Sequence, residues 1–197
     1  MRQRWCCWFP GLAHPDSGPG PRITASRKRL RNVCCKLISE FGSGWLLWGF
    51  ASTVVLTSIL AGSQGIGLTR MNIPYLLGTM ITPNRDRAKF IGFFLHFANG
   101  WIFSLIYVAA FQVLHTASWW LGAGIGLVHG VFVLTMALPI LPALHPRMAN
   151  EEYRPTVVRQ LEPPGFLGLH YGIRAPISVL LAHAIFGAIL GAFYVVK

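Results

Sequence analysis

His96, Asn99, His129 and His183 are polar side chains that fall inside long apolar runs of this 197-residue chain. A polar group placed in hydrocarbon is costly, so each is a candidate for chemistry until packing explains it. Neutral imidazole is a common ligand of metals and of b-type haem, and His96 and His183 on facing helices could ligate either. Imidazoles that titrate near neutrality could instead relay protons, with Gln64, Asn99 and His129 extending a polar path for a proton, an ion or a small solute. The plainer reading, and the one favoured here, is an interhelical hydrogen bond of about 1 kcal/mol from each to a hydroxyl or carbonyl on a neighbouring helix. No cofactor is expected on that reading, haem b through His96 and His183 being the alternative.

Catalytic signatures are missing from the same sequence. There is no H-E-x-x-H zinc motif, no phosphate-binding loop and no G-x-S-x-G nucleophile elbow, and no catalytic residue is predicted. The six acidic residues fall in the tail and loops. Two surface groupings remain as enzymatic alternatives: His145 with Glu151 and Glu152, and a lipid-modifying set of Arg70, Asp86, Glu162 and His170. The four cysteines form the adjacent pairs Cys6-Cys7 and Cys34-Cys35, without the C-x-x-C spacing of a zinc or redox site.

The elements that carry these residues are plain from composition. The chain is 53% apolar and only 12% charged. Stretches 43–64, 90–114, 118–142 and 175–196 contain no Lys, Arg, Asp or Glu, and each reaches the roughly 20 residues a helix needs to cross hydrocarbon. An all-α, four-span membrane domain over 43–196 follows. Trp45, Trp48, Trp101, Trp119, Trp120, Tyr107 and Tyr194 lie mostly near the span ends, where amphipathic rings favour the headgroup level. Pro139 and Pro142 are expected to end or bend the third span. Residues 1–27, rich in proline and glycine without apolar period, predict a disordered basic tail. Residues 28–41 place Leu30, Val33, Leu37 and Phe41 at helical spacing among Lys28, Arg29, Arg31 and Lys36, the pattern of an amphipathic helix on a membrane surface.

The net charge of +11 sits outside the apolar runs, which favours anionic lipid headgroups over nucleic acid as the partner. Arg70, Arg85 and Arg87 in the loop after the first span are the expected headgroup contacts. That loop and the one after the third span, with Arg147, Arg154, Arg159 and Arg174, share one side of the membrane, and the connection after the second span carries no Lys or Arg. The positive-inside rule places both long loops in the cytoplasm, against the opposing charge of the tail. A homo-oligomer or a membrane complex is the other kind of partner expected.

A two-helix unit recurs. His96-x3-Gly100-x3-Ser104-x2-Tyr107 is echoed by His183-x3-Gly187-x3-Gly191-x2-Tyr194, and Gly49-x3-Thr53-x3-Thr57 by Gly122-x3-Gly126-x3-Gly130. Helices in a bilayer associate by close packing, so small residues at every fourth position predict a tight four-helix bundle built from two tandem repeats. Between the first two spans, residues 69–83 predict a short helix capped by Asn72, with Pro74 in its first turn and Thr82-Pro83 closing it. The stretch Glu162 to His170 is its expected counterpart, with Glu162 and Asp86 pairing to arginines.

The phrases Met-Asn-Ile-Pro-Tyr-Leu-Leu-Gly-Thr-Met at 71–80, His96-x2-Asn99-Gly100 leading to Tyr107, and Ala182-His183-x3-Gly187-x3-Gly191 leading to Tyr194 resemble a family of small bacterial four-helix membrane proteins, akin to the YagU-like inner-membrane proteins. The resemblance covers residues 43–196. It implies four spans and a multi-pass inner-membrane location, and it carries over no activity and no catalytic residue. The tail departs from the family's pattern, which points to a natural start downstream of Met1. The function expected is that of a non-catalytic structural or accessory membrane component.

Overall fold

The computed structural model describes residues 44–150 and 155–196. The tail, the basic segment 28–41, and Glu151 and Glu152 lie outside the described residues. Among the described residues the chain is helical, with a single isolated bridge between Met148 and Leu161. Four helices are long and apolar enough to cross a membrane: α1 (Gly44–Gly65), α3 (Arg85–Val113), α4 (Trp119–Leu144) and α5 (Ala175–Phe193). Between α1 and α3 lies the short helix α2 (Ile73–Ile81).

The ends of these helices follow from local chemistry. Asn72 caps α2 by accepting from the Tyr75 N–H at 2.9 Å, and Pro74 occupies the first turn, where a missing N–H costs nothing. Asn84 caps α3 by accepting from the Arg87 N–H at 3.0 Å, with Asp86 in the first turn on the positive end of the helix dipole. Charge at Arg85, Asp86, Arg87 and Lys89 therefore does not stop the helix, and α3 begins before the apolar run does. Pro139 and Pro142 do not end α4 either. A π-turn over Val133–Ala137 precedes them, and the helix runs on to Leu144. Pro139 has no N–H to offer the turn behind it, and the wide turn takes up that loss.

Packing divides the long helices into two seams. Along the α1 and α3 seam, Gly49 faces Trp101 and Ser104, and Gly100 faces Thr53. The Thr53 and Thr57 hydroxyls donate back to the carbonyls of Gly49 and Thr53 at 2.7 and 2.8 Å, so these two hydroxyl protons are satisfied within their own helix. Along the α4 and α5 seam the facing atoms are main chain: Gly122 meets the carbonyl of Gly187, Gly126 that of His183, and Gly191 that of Ser118. A methyl group on any of these glycines would overlap the opposing carbonyl. α2 is seated on the start of α3 in the same way, with Gly78 on the backbone of Ala88 and Gly92 on that of Pro74. Small residues at every fourth position thus let the backbones approach closely.

The aromatic residues do not all sit at helix ends. Trp119 and Trp120 are exposed at the start of α4. Trp48 stacks on Phe193 at 4.3 Å, and Trp45 packs against Trp101 at 5.7 Å. Tyr107, within α3, and Tyr194, the residue that ends α5, are buried. Each has a hydrogen-bond partner that removes the need for water: His129 for Tyr107, and Gln112 for Tyr194 at 2.7 Å.

Candidate functional site

The three buried or half-buried histidines of the spans line one chamber of about 180 Å³. Its walls are apolar side chains, among them Leu56 and Leu60 of α1, Phe103 of α3, and Phe132 and Leu138 of α4. Ile73, Leu76 and Leu77 of α2 also line it, so the short helix forms part of its enclosure. Val133 and Ala137, the two ends of the π-turn, complete the α4 side. Asn99 lines the chamber as well, but its side chain is exposed, as is that of Phe132, so these two mark the rim.

Each histidine is held through Nδ1. His96 Nδ1 lies 3.1 Å from Thr57 Oγ1, whose own proton is directed to the Thr53 carbonyl. The proton between them therefore belongs to His96, which donates from Nδ1 and keeps a lone pair on Nε2. His183 Nδ1 lies 2.8 Å from the Val179 carbonyl, which only accepts, and the same tautomer follows. His129 Nδ1 is 3.0 Å from the Tyr107 hydroxyl, and its ring stacks on Phe103 at 4.4 Å and meets His183 edge-on at 4.8 Å. Among the described residues, no three His, Cys, Asp or Glu side chains are grouped as a metal would need.

The chamber gathers His96, Asn99, His129 and His183. Gln64 is placed elsewhere: its Oε1 accepts from Asn72 at 2.9 Å, bracing the cap of α2. The glycines Gly49, Gly122, Gly126, Gly130, Gly187 and Gly191 stand in the seams, as does Thr53, while Gly100 belongs to both seam and chamber. Thr57 and Tyr107, which orient two of the histidines, stand in the repeat motif without being marked there as histidine partners, and Val179, which holds the third, has no signal in the sequence beyond helical spacing.

A second group lies among the loops. Arg70 Nη1 is 3.5 Å from Glu162 Oε2, and the same guanidinium donates to the His170 carbonyl. The Arg70 N–H donates to the Tyr171 carbonyl at 2.7 Å, and Tyr171 Oη donates to the Glu162 carbonyl at 2.6 Å. Burial, reinforced by the Glu162 carboxylate, pushes the Tyr171 phenol up to about 12 against the pull of Arg70. Asp86 does not join this group; it pairs with Lys89 at 3.8 Å, one turn along α3. The segment opposite Arg70 is a turn over Phe166–Tyr171, with left-handed backbone at Leu167 and Gly168 in place of a regular helix.

His145 is not a surface residue. It is 1% exposed, and its Nδ1 accepts from the Arg147 N–H at 3.1 Å, which leaves Nε2–H to donate to the Leu76 carbonyl at 3.0 Å. Arg147 in turn donates through its side chain to the Thr79 carbonyl. The residues just after α4 thereby fasten α2, and His145 is occupied in that fastening. No family model matches the chain, and neither a curated protein nor a solved structure is found to be similar to it.

Proposed function

We propose that this chain is a non-catalytic, multi-pass structural or accessory component of a membrane, a four-helix bundle made of two tandem two-helix repeats. Corresponding positions meeting across both seams carry the reading. Gly49 against Ser104 in one seam has its counterpart in Gly122 against Gly191 in the other, and Thr57 against His96 in Gly130 against His183. The intramembrane histidines support the same view, because their Nδ1 partners are a hydroxyl, a phenol and a carbonyl, the partners of interhelical and intrahelical packing bonds. The resemblance to YagU-like proteins supports a bacterial inner membrane as its place, and Arg70, Arg85 and Arg87 are suited to anionic headgroups there.

A haem between His96 and His183 is a poorer fit than a small occupant, since drug-sized ligands and cofactors take roughly 300 Å³ or more and the chamber has about 180 Å³. An absorption spectrum with metal analysis, on protein purified in mild detergent beside a His96→Ala/His183→Ala double variant, tests the reading. A colourless protein with substoichiometric metal is expected. A Soret band, or one equivalent of metal, lost in the double variant would replace it with a cofactor protein. The chamber itself favours a second reading, the handling of a small solute, and vesicle flux assays separate it from a purely structural role.

A further inference from the structure

We propose that the chamber between the helices is a binding site for a ring-sized, membrane-dissolved molecule that donates hydrogen bonds, of the phenol or hydroquinone class. This goes beyond the accessory role and holds with or without it. Size comes first. An apolar cavity of about 150 Å³ accepts benzene, so the chamber's about 180 Å³ admits one substituted ring and little more. Leu56, Leu60, Leu76, Phe132 and Leu138 supply the apolar wall such a ring needs.

The polar end decides the chemistry. His96 and His183 both spend their Nδ1 protons on Thr57 and Val179, which leaves Nε2 of each as an acceptor with no hydrogen-bond partner among the described residues. Two acceptors are costly unless something donates to them, in a chamber whose other polar lining is His129, held by Tyr107, and Asn99 at the rim. A quinone or ketone, which only accepts, leaves them unsatisfied; a hydroxyl does not. Charge argues for a neutral occupant, because among the described residues no Asp, Glu, Lys or Arg lines the chamber and a dication would find no counter-charge there. Entry is set by the rim, where Asn99 and Phe132 are exposed on faces of α3 and α4 that hydrocarbon would cover, and the Asn99 amide is suited to a second hydroxyl there.

The test is a titration of the full chain in detergent micelles with 4-fluorophenol and, separately, 4-fluoroanisole, read by fluorine NMR and corrected for partition into empty micelles. Saturable binding of the phenol is expected, about tenfold tighter than that of the anisole, which has the ring without the donor. In the His96→Ala/His183→Ala variant the ring still has room and the tenfold preference disappears. In Leu56→Phe, which fills the wall and keeps both histidines, binding of both probes is lost. Equal binding of the two probes by the unaltered protein, or no saturable binding, overturns the proposal without recourse to any variant. Stoichiometric zinc or copper(I) that displaces the phenol overturns it too, by making the chamber a metal site.

Discussion

The two seams use the same device at different depths of contact. Between α1 and α3, glycine meets side chain: Gly100 receives Thr53, and Gly49 receives Ser104. Between α4 and α5, glycine meets backbone, and Gly122 and Gly187 face each other's carbonyl oxygen reciprocally. The hydrogen each glycine carries in place of a Cβ points at the opposing carbonyl, a pair of Cα–H···O contacts worth roughly 0.5–1 kcal/mol each. A side chain can rotate away from an intruding methyl group, whereas a helix backbone moves only as a whole. The first seam is therefore adjustable and the second is rigid, although both arise from small residues at every fourth position.

Gly122→Ala attacks the rigid seam directly. Because the added methyl falls on the Gly187 carbonyl, a loss of about 3 kcal/mol is expected in reversible unfolding in mixed micelles, the upper part of the usual range for overpacking. Gly100→Ala attacks the adjustable seam, and there the obstacle is the Thr53 side chain, so a loss of about 1 kcal/mol is expected. The difference sharpens in the double variant Gly100→Ala/Thr53→Ala, which makes room for the methyl and recovers most of that loss. Equal losses for Gly122→Ala and Gly100→Ala, with no recovery on truncating Thr53, would erase the distinction between the seams.

α2 extends the comparison to a third contact, which is backbone-tight at Gly78 and Gly92 and also fastened by a titratable side chain. Burial holds the His145 imidazole below its ordinary value of 6.5, opposed by its bond to the Leu76 carbonyl and assisted by the neighbouring Arg147 cation, the charged group beside it. A histidine depressed in the folded state binds its proton more readily when unfolded. Its contribution to stability is thus complete above about pH 6.5 and declines as pH falls toward the lowered value. Protonation at Nδ1 also removes the acceptor for the Arg147 N–H. The unfolding midpoint should drop as pH falls below about 6.5, and His145→Asn, which keeps a donor but does not titrate, should flatten that slope. An unchanged slope would place the acid sensitivity elsewhere.

How much of this was open to inspection in the sequence depends on which physical quantity each feature reflects. Span length and small-residue spacing are one-dimensional, so the four apolar helices, the capped α2 and the seam positions can be read from residue order. Helix face is harder. His96 and Asn99 are three residues apart on α3, yet one is buried against Thr57 and the other lies exposed at the rim. Hydropathy cannot separate them, because the neighbour that buries His96 comes from α1. His145 was hidden for a related reason: a histidine before a proline at a helix end looks solvated, and only the placement of α2 supplies the Leu76 carbonyl that it binds. Nothing in the spacing of Pro139 and Pro142 announces a π-turn that lets α4 continue past them, either.

Gly124 offers the smallest effect and the sharpest control on the seam argument. It lies on α4 between Gly122 and Gly126, in the same helix and at the same level of the chain, but a Cβ there meets nothing within 4 Å. Propensity alone favours alanine over glycine inside a helix by up to about 1 kcal/mol in water. Gly124→Ala should accordingly be neutral or slightly stabilising, within about 0.5 kcal/mol of the unaltered protein in the same unfolding assay. Should it cost as much as Gly122→Ala, the exposed face of α4 would have to be covered by another helix, and a second copy of the chain would be the first candidate to examine by crosslinking at that face. Should it be silent, the damage at Gly122 belongs to the α5 backbone and not to the general cost of adding bulk to α4.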